Sequence, residues 1–225
     1  MMFLMLLLSG CTAGLMDFQT CKTDSQCRSA FGFGATCDAG YCESAGSLPE
    51  RCTATPTDLL SNPKKYSEVD VVGVMLDHTS QKAELQAVHL ATSETSGHDF
   101  ATVVCDTQTD LDGDTELEAS RSLAKYLSGP LSAAVIVGPG TSTLALEVYN
   151  TLEGKDVVLI SPTATGDSLS ELGDRAKTDA EPGLFWRTVG PEWDQTLAFG
   201  RFITIDHEYA SLLFLHELEP NDANH

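Results

Sequence analysis

An α/β fold built on a doubly wound parallel sheet is what this sequence predicts, and three observations carry the prediction. Short apolar, β-branched runs recur along much of the 225 residues, helical stripes separate them, and glycine- and hydroxyl-rich loops follow them. Runs that are apolar on both faces suit a sheet covered on both sides, and helices between them favour parallel pairing. The hydrophobic fraction of 42% supplies a core of that size.

Taken in chain order, Val69 to Leu76 (VDVVGVML) reads as the first strand of the sheet, and Gln81 to Ala91 as a helix with Leu85, Val88 and Ala91 on one stripe. Phe100 to Cys105 (FATVVC) is the second strand, and Glu116 to Leu127 the second helix, with Leu117, Leu123, Ala124 and Leu127 inward. Ser132 to Val137 (SAAVIV), the helix Ser142 to Leu152, and Val157 to Ile160 (VVLI) continue the alternation. Leu184 to Val189 (LFWRTV) makes a fifth strand, followed by a helix from Glu192 to Ile205 and a last apolar stretch, Ser211 to Leu215. Phe185, Trp186, Trp193 and Phe199 are expected as core and hinge packing.

The segment ahead of the sheet has a different composition. Residues 1–10 form an apolar run too short to cross a bilayer but long enough for a secretory leader. Leu8-Ser9-Gly10-Cys11 resembles the bacterial lipobox, which implies export, cleavage and lipidation of Cys11. Thr12 after that cysteine implies, in the same resemblance, passage to the outer membrane, with residues 11–20 as the tether. Of seven cysteines, setting Cys11 aside leaves an even six, as an oxidising compartment favours. Cys21, Cys27, Cys37, Cys42 and Cys52 are spaced C-x5-C-x9-C-x4-C-x9-C in a stretch too poor in aliphatic residues to build its own core. Residues 21–52 therefore read as a small disulfide-rich module. Fifteen pairings of six cysteines are possible; the preferred partition puts two bridges among Cys21, Cys27, Cys37 and Cys42 and joins Cys52 to Cys105. Zinc is disfavoured, because no CxxC occurs and no histidine lies nearby. Ser47 to Pro63, with three prolines and no periodicity, reads as a linker, bounded at 53–66; the α/β lobe follows at 67–190 and a crossover at 191–225.

Composition also excludes partners. Thirty-three acidic against 13 basic residues give a formal charge of −20, a field that repels nucleic acid and rules out a basic membrane-surface helix. A parallel sheet binds ligands in the loops at the carboxyl ends of its strands. Those loops are Asp77 to Ser80, Asp106 to Asp114, Gly138 to Thr143 and Ser161 to Asp167. The third carries Gly138-Pro139-Gly140 and then Thr141, Ser142 and Thr143 where a helix starts; unpaired amides and hydroxyls there make a seat for a carboxylate or phosphate. The fourth, Ser161-Pro162-Thr163-Ala164-Thr165-Gly166, offers hydroxyls and carbonyls to an ammonium group.

Sharper motifs fail on their details. With Gly113 at the sixth position of a calcium loop, Asp110 and Asp112 fall correctly, but Gln108 and Ala119 occupy the first and last ligand positions. A solvated loop with acidic helix-start residues fits better. Gly138-Pro139-Gly140 follows the third strand, lacks the last glycine of a dinucleotide fingerprint and has no acidic partner at the expected interval. His207-Glu208 and His216-Glu217 lack the second histidine of HExxH, and no G-x-S-x-G is present. Neither a cofactor nor a metal nor catalysis is expected.

Three separated blocks bear a resemblance to the type I periplasmic binding proteins, specifically the branched-chain amino-acid receptors of ABC transporters: VVCDTQTD at 103–110, AAVIVGPGTSTLALEVYNTLEGKDVVLISPTAT at 133–165 and LFWRTVGPEWDQ at 184–195. The resemblance runs from about Val69 to the C-terminus and implies the first lobe of a two-lobed receptor. It implies that Ser142 binds a ligand α-carboxylate with helix amides, and that Thr163 and Thr165 hold the α-carboxylate and α-ammonium; Thr141 and Ala164 complete the expected ligand-binding set. Arg187 matches an arginine expected to be structural. Asp77 to Ser80 is shorter than the family's corresponding loop, and Ser211 to His225 matches only the start of the family's second lobe, so the second lobe is expected to be largely missing. The resulting expectation is an exported, lipid-anchored solute-binding protein that captures a small polar, amino acid-like ligand for an ABC permease or a sensor. A surface interaction lipoprotein using the lobe as a scaffold, and an inactive truncated receptor fragment, are the alternatives.

Overall fold

The computed structural model describes residues 20–44, 46–94, 100–108, 113–173, 175–178 and 180–206. The leader and Cys11, Asp110 and Asp112 of the acidic loop, the apolar stretch Ser211 to Leu215 and both His-Glu pairs lie outside the described residues.

The first elements among the described residues are helix α1 (Asp24–Phe31) and a hairpin of β1 (Ala35–Asp38) and β2 (Tyr41–Ser44). Two disulfides, Cys21–Cys37 and Cys27–Cys42, tie the helix and the preceding segment to the hairpin, with Cα separations of 5.7 and 5.3 Å. Their sulfurs lie close together, within 4.8 Å for Cys21, Cys27 and Cys42, but S–S bonding leaves no thiolate to hold a metal. The module does not hang from a linker. Phe33 is buried in the same cluster as Leu59, Tyr66 and Val71, its amide donates to the Pro63 carbonyl at 2.7 Å, and the Arg28 guanidinium donates to the Val69 carbonyl at 3.1 Å. At Gly32 (φ +95°) a Cβ would sit 2.4 Å from the Pro63 backbone carbon, so only glycine permits this approach.

The reading of 53–66 as a linker is corrected by the same region. Cys52–Thr55 is a strand, β3, and Leu59 and Tyr66 are buried. Tyr66 donates its hydroxyl to Asp58, and with Asn62 and Lys65 it holds that carboxyl down at about 2. The prolines punctuate a turn-rich segment whose few apolar side chains point into the core. Cys52 faces Cys105 in the strand register and is bonded to it, with Cα atoms 4.0 Å apart.

The main sheet comprises β3, β4 (Asp70–Leu76), β5 (Phe100–Asp106), β6 (Val135–Val137), β7 (Val158–Ser161) and β10 (Phe185–Arg187), in the order β10-β7-β6-β4-β5-β3. All neighbours are parallel except β3, which runs antiparallel along β5. Helices α3 (Glu116–Ser128) and α4 (Ser142–Thr151) cover one face, where Leu123, Leu127 and Val148 meet Val71, Ile136 and Leu159. Helix α2 (Lys82–Glu94) covers the other face over Val74, Leu76 and Val104. The lobe is thus an α/β doubly wound sheet with one antiparallel edge.

Several finer expectations change. In α2, Leu85 and Val88 are only half-buried and Ala91 is exposed, because a single weak apolar stripe rests on Val74, Leu76 and Val104 with no second layer over it among the described residues. In α3, Leu117 is half-buried while Ala119 and Ser120 are buried. A second hairpin, β8 (Arg175–Thr178) with β9 (Glu181–Gly183), precedes β10. Trp186, Trp193 and Phe199 are not core: they are 47, 59 and 56% exposed, Trp186 on the outward side of the three-residue strand β10 and the other two on α5 (Glu192–Arg201), which buries none of its residues. Phe185 does pack, edge-on against Tyr149 with ring centroids 6.2 Å apart.

Candidate ligand-binding site

The sheet order creates a crevice. From β4 the chain crosses one face to β5, and from β6 it crosses the other face to β7, so the loops after the adjacent strands β4 and β6 diverge. Open α/β sheets bind ligands at such a switch point. In the β4 loop the Asp77 carboxylate accepts from the Thr79 amide at 2.7 Å, the Thr79 hydroxyl at 2.6 Å and the Ser80 hydroxyl at 2.7 Å. Burial would raise this carboxyl, but the hydrogen bonds from Thr79 and Ser80 outweigh it and hold it at about 2. Across the crevice, Gly138 has φ +99° and a Cβ there would fall 1.9 Å from the Met75 carbonyl oxygen; the absence of a side chain lets the β6 loop lie against the end of β4. Its amide donates to Ile160 at 2.8 Å, and the buried Ser161 hydroxyl donates to Pro139 at 2.6 Å, which fixes the β6 and β7 loops to each other.

The expected residues gather on these two loops. Thr141 is the N-cap of α4, its hydroxyl accepting from the Leu144 amide at 3.4 Å, so its side chain serves the helix. Ser142, the first helical residue, accepts from the Gly166 amide at 2.9 Å and retains its own proton for another acceptor. The amides of Ser142 and Thr143 have no intrahelical acceptor by their position and carry the positive end of the helix dipole. Thr163 donates to the Gly140 carbonyl at 2.7 Å. Thr165 donates to the Glu192 carboxylate at 3.2 Å, while the Glu192 amide returns a bond to the Thr165 carbonyl at 2.9 Å. Ala164 is buried against Ala145 and Leu169, leaving only its backbone for the crevice. Arg187 donates to the Gly166 carbonyl at 3.2 Å and to the Ser170 hydroxyl, bracing the β7 loop from behind. The result is an open shelf with unpaired amides at the start of α4 and the carboxylates of Glu192 and Asp77 on the neighbouring loops. A hollow of about 310 Å³ lies elsewhere, beside Tyr149 and Val157 at the far end of α4.

Neither a known family model nor a curated protein sequence matches this chain. Solved structures do. The branched-chain amino acid transporter substrate binding protein LivJ from Streptococcus pneumoniae, in complex with isoleucine, superposes with a TM-score of 0.50 at 18% identity, over 61% of this chain and 38% of that one. This chain has the fold of a type I periplasmic binding protein N-terminal lobe. A leucine binding protein, LivK, from Thermotoga maritima gives a TM-score of 0.49 at 16% identity, over 61% of this chain and 37% of its own. The match thus spans well under half the length of either protein.

Three residues of this lobe's crevice were not singled out as site residues from sequence. Gln81 reaches from the start of α2 to Thr163, Glu192 meets Thr165 from the start of α5, and Asp77 organises the β4 loop. Asp77 had a signal, since it heads a strand-end loop. Gln81 and Glu192 are ordinary helix-start residues whose role depends on which loop they face.

Proposed function

We propose that this chain is an exported, lipid-anchored solute-binding protein that captures a small zwitterionic ligand, an amino acid, by non-covalent binding and presents it to an ABC permease or a sensor. The observation that carries the reading is the convergence of the α4 N-terminus, Ser142 and the Thr163–Thr165 loop at the β4/β6 switch point. The amides of α4 and the Ser142 hydroxyl hold the carboxylate. Thr163, Thr165 and Glu192 accept from the ammonium, and the bond between Thr165 and Glu192 opens to admit it. Three disulfides support an oxidising compartment, and Cys11 is the lipidated residue, detectable as diacylglycerol on that cysteine in a bacterial membrane extract.

Thermal unfolding in the presence of each of the 20 common amino acids tests the reading. A cognate ligand at about 100 times its Kd stabilises the fold by about 2.7 kcal/mol, and Ser142→Ala with Thr165→Ala removes that shift while circular dichroism stays native. No shift with any amino acid at millimolar concentration overturns capture. A second reading, an interaction surface presented by the lobe, is favoured by the exposure of Trp193, Leu197, Phe199 and Phe202 along α5 and the turn after it. Unchanged melting with every amino acid would leave that reading standing.

A further inference from the structure

The geometry points to Gln81 as a competitor for the ligand's place in the crevice: we propose that its carboxamide is a built-in occupant of the Thr163 corner and that an amine-bearing ligand binds by displacing it. The proposal rests on the amino-acid capture reading. Gln81 is half-buried just ahead of α2, and its amide bridges the two sides of the switch point. Its carbonyl oxygen accepts from the Asp77 amide at 3.1 Å, which fixes the direction of the side chain, and its NH2 donates to the Thr163 hydroxyl oxygen at 3.4 Å.

Hydrogen-bond accounting shows what the Thr163 corner asks for. The Thr163 proton is committed to the Gly140 carbonyl at 2.7 Å, so its oxygen only accepts there. The group that faces it must be a donor. Gln81 supplies one at a length near the limit for a hydrogen bond, which makes the contact weak and exchangeable. Gly140 shows that the same amide fills the space: a Cβ built on Gly140 would fall 1.6 Å from the Gln81 nitrogen and 2.7 Å from the Thr163 oxygen. The volume over the backbone beside the α4 start is thus taken up by the Gln81 NH2. An ammonium group placed there makes a stronger, charge-assisted bond to Thr163 than the neutral amide does. A ligand with a carbonyl in that position meets no donor on Thr163 and leaves Gln81 in place. Gln81 therefore competes with ligands that present a donor at this corner, and it weakens every such ligand by the cost of its own displacement.

Calorimetric titration of the intact chain tests this, using the amino acid that gives the largest melting shift and its 2-oxo acid counterpart, whose carbonyl offers Thr163 no donor. In Gln81→Ala the amino acid is expected to bind about 2- to 10-fold more tightly than to wild type, the value of one neutral hydrogen bond no longer broken. The ratio of amino acid to 2-oxo acid affinity should rise with it. Gln81→Asn, too short to reach Thr163, serves the same purpose if the alanine variant fails to melt cooperatively. Binding that is unchanged or weaker in both variants overturns the role of Gln81 and leaves capture intact. Absence of binding by wild type and variants alike overturns both.

Discussion

Glu116 and Asp77 are two carboxyls at the rim of the crevice that answer pH in opposite directions. Burial pushes the Glu116 carboxyl up, and the negative charge of Asp77 adds to that. A carboxyl raised in the folded state holds its proton more tightly when folded, so it favours the fold below the ordinary value of about 4.3 and loses that advantage as pH rises through the raised value. Asp77, held at about 2, does the reverse: its contribution is present above the ordinary carboxylate range and is lost as pH falls toward about 2. Glu116→Gln should therefore raise the unfolding free energy at pH 7, by up to about 0.5 kcal/mol for a half-buried group still screened by solvent, and leave it unchanged at pH 3. Urea unfolding at both values checks this, and a gain at pH 3 as large as that at pH 7 would refute it. At this scale the sequence was legible where chemistry is local. Thr141, Ser142, Thr163 and Thr165 stand in loops that follow apolar strands, and their positions in the crevice follow from that order alone. Gln81 was not legible, because its partner Thr163 lies 82 residues away and the contact exists only once β4 and β7 share a sheet.

Among the elements, the parallel strands were legible because each is a run of β-branched residues apolar on both faces, and β3 was not. It has four residues, alternates buried and exposed, and is flanked by prolines, so no window of useful length carries a period. The same holds for the hairpin of β8 and β9, whose polar strands of four and three residues pair through their backbones. What seats β3 is the covalent bond. Cys52 and Cys105 stand opposite each other in the antiparallel register, and the bridge closes a loop across a sequence separation of 53 that contains β4 and α2. The chain-entropy model gives roughly 4 kcal/mol for a loop of that length. Cys52→Ala with Cys105→Ala should lose about that much in urea unfolding, while the two module disulfides keep α1 and its hairpin joined. A loss below about 1 kcal/mol, within the reach of ordinary surface substitutions, would mean that strand pairing with β5 and the burial of Leu59 and Tyr66 hold this edge unaided.

For the whole molecule, the doubly wound class was legible in the alternation of strands and helices, because right-handed crossovers leave few ways to wind them, while the strand order emerges only from the pairing. Orientation of the cysteine module was not, since it depends on Phe33, Arg28 and Gly32 finding partners at Pro63 and Val69. Net charge acts on both parts together. With 33 acidic against 13 basic residues, pairs such as Arg121–Glu147 at 2.7 Å and Lys65–Asp58 at 3.2 Å cannot balance the formal charge of −20. The folded state concentrates this charge and the unfolded chain disperses it, so self-repulsion works against folding. Its range follows the screening length, about 30 Å at 0.01 M salt and about 10 Å at 0.1 M. Raising sodium chloride across that interval at pH 7 should therefore raise the thermal midpoint. The same titration at pH 5, close to the sequence pI of about 4.4, should show a smaller rise, because protonation has already removed part of the charge. A midpoint that does not move with salt at pH 7 would show that the carboxylates are as well separated in the folded chain as in the unfolded one, and the acidity would then carry no energetic consequence for the fold.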